Sequence, residues 1–145
     1  DLAPSAMADE WSGDIGCGVK YFSQDAVIKL AENAGIKFEQ TLTPAEKLKV
    51  VQNLLADGDQ VAKQIFADIG VYLGYTLAFY SEFYDIDYLL LLGRVTSGAA
   101  GSIIAENAKL VLDSEYPALS SIKIVLPDES NKRVGQSIAA ASLCS

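Results

Sequence analysis

The apolar and polar positions of this chain follow no sustained period over residues 1–20. That stretch carries Pro4, Gly13, Gly16 and Gly18, as an irregular entering segment would. Trp11, the only tryptophan, is expected to anchor it to the core. Over residues 21–84 the spacing becomes helical. A first helix is predicted over 23–33, with Ser23 as N-cap, Val27, Leu30, Ala31 and Ala34 on one face, and Gly35 just past its end. A second is predicted over 44–56. Thr43, Pro44 and Glu46 supply an N-cap, a proline at the first helical position and a capping-box glutamate, and Leu48, Val51, Leu54 and Leu55 form the apolar face. A third, long helix is predicted over 59–83. Val61, Ile65, Ile69, Tyr72, Leu73, Leu77 and Tyr80 recur at helical spacing, with Phe66, Val71 and Phe79 on neighbouring faces. A helix apolar over so much of its surface is buried or lies in a partner interface. Gly70 and Gly74, one turn apart, leave room for a second helix to approach closely.

Over residues 85–145 the period changes to strand, helix, strand, helix. The apolar run from Asp87 to Leu92 reads as a buried strand of a parallel sheet. A helix follows over 98–115, with Ile103, Ile104, Ala108, Val111 and Leu112 inward and Pro117 as its stop. A second strand is expected over 121–126, ended by Pro127, and a last helix over 131–143 with Val134, Ile138 and Ala141 on one face. The fold class is therefore α/β, with three helices preceding a small parallel β-α-β-α unit. Two strands make a thin sheet, and parallel sheets need covered faces and protected edges. The chain is expected to be a single domain, 1–145, whose remaining strands lie upstream in a larger two-lobed protein.

Composition narrows the function classes. Half of the 145 residues are hydrophobic, enough for a packed core. A net charge of −8, with few and scattered basic residues, argues against nucleic-acid binding and against docking on anionic membranes. The longest charge-free stretch, 69–81, is too short to span a bilayer, and the first ten residues lack the basic-then-apolar pattern of a leader. The two cysteines, Cys17 and Cys144, do not make a disulfide scaffold, and a cytoplasmic location with reduced thiols is expected. The absence of histidine removes the commonest general base and every Ser-His-Asp or Cys-His arrangement. No catalytic residue and no metal ligand set is assigned.

The stretch best placed for chemistry is Leu91-Leu92-Gly93-Arg94-Val95-Thr96-Ser97-Gly98-Ala99-Ala100-Gly101, at the carboxyl end of the first strand and opening a helix. Ligands of open α/β sheets collect at that end, small residues let a ring or phosphate approach the backbone, and helix N-termini attract anions. Arg94 is placed either to pair with a phosphate or to form a structural ion pair. The glycine spacing matches neither G-x-G-x-x-G nor G-x-x-x-x-G-K-[ST]. A turn that needs glycine for its backbone geometry explains the same residues. Among the acidic residues, Asp9, Glu10 and Asp14 lie in a glycine-rich loop that reads as solvated, Asp85 and Asp87 sit at the wrong end of the strand for a site, and Asp128 and Glu129 follow the second strand, at the correct end either to contact a metal-bound phosphate or to cap the last helix. Tyr72, Tyr75, Tyr80 and Tyr84 read as core or interface residues.

The order of elements resembles the ROK family (repressors, open reading frames and sugar kinases) of the actin-like ATPase superfamily, whose fold is ribonuclease H-like. The likeness runs from the long apolar helix through Asp87–Leu92, the small-residue turn, the next helix and Ile122–Leu126 to the Gly/Ala-rich run Val134–Ala141. It covers about residues 21–143 and rests on topology and glycines. It implies that Gly93, Arg94, Thr96, Ser97 and Gly98 form the adenosine-side wall of an ATP site. The parent would phosphorylate a sugar with ATP and Mg²⁺, and this part alone would be inactive. A non-catalytic ROK-type regulator or an oligomerisation module is the alternative. The partners implied are an upstream lobe of the same protein and a second copy through the long helix. Where the family has consecutive glycines after the strand, this chain has Arg94 after Gly93, and the family's sugar-binding Glu and His, zinc motif and catalytic Asp are unmatched.

Overall fold

A computed structural model of the chain describes residues 6–127. The expected helix over 131–143, the cap candidates Asp128 and Glu129, and Cys144 lie outside the described residues. Four helices come first: α1 (Val19–Phe22), α2 (Gln24–Asn33), α3 (Pro44–Ala56) and α4 (Gln60–Ser81). Strand β1 (Tyr88–Leu90), helix α5 (Ala99–Glu115) and strand β2 (Lys123–Val125) follow, with short 3-10 turns at Arg94–Thr96 and Pro117–Leu119. The described part is thus a helix-rich α/β structure around a two-stranded parallel sheet, with Tyr88 opposite Lys123 and Leu90 opposite Val125.

Local chemistry sets the helix starts. The Ser23 side chain accepts from the Asp25 N–H, and the Asp59 carboxylate accepts from the Ala62 N–H at 2.7 Å. At α3 the capping box is complete: the Glu46 N–H donates to the Thr43 hydroxyl, and the Thr43 N–H donates to the Glu46 carboxylate at 2.7 Å. The Thr43 hydroxyl, which also donates to the Glu46 carboxylate at 2.6 Å, and after it the Thr43 N–H hold the Glu46 carboxyl below its usual range. A cap of this kind contributes about 1 kcal/mol.

The main core lies where α2, α3, α4 and the start of α5 meet. Val27, Leu48, Val51, Phe66, Ile69 and Ile104 are buried there. A smaller core of Leu77, Leu112 and Ile122, with Leu89 and Ile124 against it, joins the far ends of α4 and α5 to the inner face of the sheet. Gly70 and Gly74 make the close approach of α4 to α5: a Cβ on Gly70 would stand 2.5 Å from the Ile104 carbonyl oxygen, and one on Gly74 would stand 2.6 Å from Val111 Cβ. No helix among the described residues is long and apolar enough to cross a membrane.

Several expectations are corrected. Trp11 does not anchor the first segment, being 96 % exposed. Hydrogen bonds and ion pairs hold that segment instead, and Val19 and Lys20, read as the end of the irregular entry, open α1. Val61, Tyr72 and Tyr80 on α4, and Ala34 after α2, are exposed rather than inward, because neighbouring elements cover only part of each helix. The strands are not buried on both faces either: Tyr88, Leu90 and Val125 point outward and are exposed, since α4 and α5 cover one face only.

Candidate functional site

A cavity of about 630 Å³ opens at the carboxyl end of β1. One wall is the loop Asp9–Trp11 with the start of α1 and α2. The other is the segment Leu91–Thr96, and Ile69 and Ile104 lie at the bottom. This is the position at which ligands bind in open parallel sheets.

The 91–96 wall takes its shape from two glycines and two hydrogen bonds. Gly93 has φ 112° and ψ 170°, and Gly98 has φ 63° and ψ −143°, conformations that are essentially closed to other residues. Between them the Thr96 hydroxyl donates to the Gly93 carbonyl at 2.9 Å, and Gln52 on α3 donates from Nε2 to the Arg94 carbonyl at 2.8 Å. A Cβ on Gly101 would stand 2.6 Å from the Thr96 carbonyl oxygen, so the turn rests directly on the first turn of α5. Of the two readings left open by the sequence, backbone geometry is therefore one true requirement for the glycines. It does not displace the other: no atom lies within 4 Å of where a Cβ on Gly93 would be, so the backbone there is open to a ligand.

Of the five residues singled out for nucleotide binding, Gly93, Arg94 and Thr96 line the cavity, and Ser97 and Gly98 do not. Thr96 is buried with its hydroxyl committed to the turn. Arg94 is exposed.

The opposite wall is organised by Lys20, which sequence reasoning passed over. Its side chain is 2 % exposed and its ammonium is bonded to Glu10 at 2.7 Å and to Asp25 at 2.9 Å. These contacts, Glu10 first and Asp25 second, push its pKa up, while the bond to Lys20 pulls the Glu10 carboxyl down. The adjoining loop is closed by the Asp9 carboxylate, which accepts from the N–H groups of Ser12 at 2.9 Å and Trp11 at 3.1 Å. The Ser12 contact is the main cause of its lowered pKa. An isolated lysine between a glycine-rich loop and a helix carries no sequence signal of burial, because its partners come from either side of a turn. Glu10, read with Asp9 as part of a solvated loop, is in fact one of those partners.

Among the described residues no group of three His, Cys, Asp or Glu side chains is placed to hold a metal ion. Glu10 and Asp25 are both engaged by Lys20, which leaves no free pair of carboxylates on that wall. The cavity thus combines an apolar bottom, an open glycine backbone, an exposed guanidinium on one wall and an exposed indole on the other. Comparison of the chain with protein-family models, with curated proteins and with solved structures gives no match to any of them.

Proposed function

We propose that the chain is the nucleotide-side part of a ROK-like sugar kinase of the actin-like ATPase, ribonuclease H-like fold, with adenosine seated in the cavity beside Gly93. The observation that carries this reading is the position of the cavity, at the carboxyl end of a parallel strand and against an open glycine backbone. In this reading Gly93 lets the nucleotide approach the main chain, Arg94 pairs with its phosphates, and Thr96 holds the turn in shape without touching the ligand. Ser97 and Gly98 act through the turn as well, since neither lines the cavity.

The outward face of the sheet supports membership in a larger assembly. Among the described residues Tyr88, Leu90 and Val125, with Lys123 over the Tyr88 ring, form an exposed and largely apolar face, and parallel sheets are normally covered on both. An upstream lobe packed on that face satisfies this requirement. Mg²⁺ would then arrive with the triphosphate, because the described carboxylates in the cavity are engaged, Glu10 and Asp25 by Lys20 and Asp9 by the N–H groups of Trp11 and Ser12. Phosphoryl transfer needs a positioned base and metal in addition to a nucleotide wall. No residue described here fills the role of base, so the chain alone is expected to phosphorylate no sugar.

Trp11 supplies the test, since it is the only tryptophan and lines the cavity. Mg·ATP should change its fluorescence with a Kd in the range of about 0.1–1 mM, and Arg94→Ala should weaken binding about tenfold. Adenosine without phosphates should bind equally to both forms. Silence of calorimetry and fluorescence up to about 5 mM Mg·ATP would overturn the reading. Sugar phosphorylation by the chain itself would overturn the assignment of an inactive part.

A further inference from the structure

We propose that the C-terminal end of α4 and the turn after it form a docking surface for a basic, amphipathic segment of another protein. Phe79, Phe83 and Tyr84 are each more than half exposed there, at 61 %, 67 % and 68 %, and Tyr80 is exposed beside them. The Phe79 ring lies 5.4 Å from that of Phe83 and 6.1 Å from that of Tyr80, so these side chains form one patch and are not scattered singly. The fold does not need them: the core at this end is made by Leu77, Leu112 and Ile122. A contiguous exposed apolar patch marks an interaction site more often than a solvated surface.

The charges around the patch choose the partner. Glu82, Asp85 and Asp87 are exposed beside it, and none forms an ion pair among the described residues. The last turn of α4 has no basic residue. The carbonyl end of a helix already carries partial negative charge and favours cations, so these carboxylates add to a negative pole that nothing nearby offsets. Lys123, on the strand paired with β1, is drawn elsewhere, with its ammonium 5.1 Å from the centre of the Tyr88 ring. A second copy of the chain would bring the same acidic rim, and a net charge of −8, against itself. A helix with Lys or Arg on one side and Leu or Phe on the other satisfies both features: its apolar face covers the rings, and its cations meet the carboxylates and the ring faces.

The test is calorimetric titration of the full chain with a synthetic Leu/Lys amphipathic helix of about 18 residues, and with a Leu/Glu counterpart of the same length. The Leu/Lys peptide should bind in the micromolar range, and raising NaCl from about 50 mM to about 500 mM should weaken it about tenfold. The pair Phe79→Ser and Phe83→Ser should weaken binding about tenfold at either salt concentration. The pair Glu82→Gln and Asp85→Asn should remove most of the salt dependence and spare the apolar part. Among the described residues neither carboxylate forms an ion pair or a side-chain hydrogen bond, so that variant decides the matter even if the phenylalanine variant loses its helical circular dichroism. Equal binding of the two peptides, or no binding of Leu/Lys, would overturn the proposal. So would a concentration-dependent dimer, seen by light scattering, that the phenylalanine variant abolishes, because the occupant would then be a second copy.

Discussion

Two regions of this protein use glycine for opposite reasons. Along the seam between α4 and α5 the backbone at Gly70 and Gly74 lies in an ordinary helix, and there is no space for a side chain. In the turn from Gly93 to Gly98 the space is empty, and the backbone is in a conformation that a side chain resists. The seam is a packed surface that fixes the distance between two helices. The turn is a shaped edge that leaves one side open. A cavity for a ligand belongs at the second kind of glycine, and the 630 Å³ cavity does lie against Gly93.

The largest expected effect breaks the seam. In Gly70→Val the new Cβ would meet a backbone oxygen at 2.5 Å and Asn107 Cβ at 2.8 Å, and neither can swing away. Valine propagates a helix better than glycine by a few tenths of a kcal/mol, but overpacking of about 3 kcal/mol outweighs that gain. Urea denaturation should show a loss of about 3 kcal/mol with little change in slope. A loss under about 1 kcal/mol would mean that the helices shift apart freely, and the distinction between the two regions would fall.

The turn should respond less, and differently. Gly98→Ala forces a side chain into a conformation worth about 2 kcal/mol of strain, with no clash to add to it. Asparagine should do no better than alanine there, because φ 63° with ψ −143° lies outside the left-handed helical region that asparagine tolerates. Gly58, which ends α3 with φ 88° over open space, is the control. Asparagine is a common residue at such helix ends, so Gly58→Asn should lie within about 0.5 kcal/mol of the parent protein by the same denaturation measurement.

What the sequence made legible follows the range of the forces involved. The start of α3 was readable because Thr43, Pro44 and Glu46 act on one another within a single turn, and the helix begins at Pro44 as they imply. The β1-α5-β2 order was readable from the change of period and from Pro117. The exposure of Tyr88 and Leu90 was not, because burial depends on what covers a strand and not on the strand itself. Trp11 misled for a related reason: an indole needs a hydrophobic seat within reach, and its loop is built by Asp9 and Glu10 as acceptors. Gly93 and Gly98 were found, yet their conformational role and the open space beside them emerge only from the backbone. Lys20 left no trace in the pattern, since its two partners join it only after the chain turns back on itself.

The smallest expected effect separates the two walls of the molecule by pH. The contacts of Gly70 and Gly74 with Ile104, Asn107, Ala108 and Val111 involve no ionisable group, whereas the loop from Asp9 to Ser12 is held by carboxylates. Glu10 and Asp9 have depressed pKa values in the folded protein, so their stabilisation is complete above the ordinary values of 4.5 and 3.8 and is lost as pH falls through the depressed ones. Lys20 is raised above 10.5, so its share is complete below that value and is lost only as pH rises through the raised one. The loop should therefore hold steady between about pH 4.5 and 10.5 and loosen in acid before the seam does. Hydrogen exchange, corrected for intrinsic rates, reads this directly: the Trp11 and Ser12 amides should lose protection below pH 4.5 while the amides of α4 keep theirs. In Lys20→Met the Glu10 contribution should lose its main cause, and the loop should exchange faster at neutral pH with a weaker dependence on acid. Simultaneous loss of protection in loop and helix would show that the ion pairs and the seam belong to one cooperative unit.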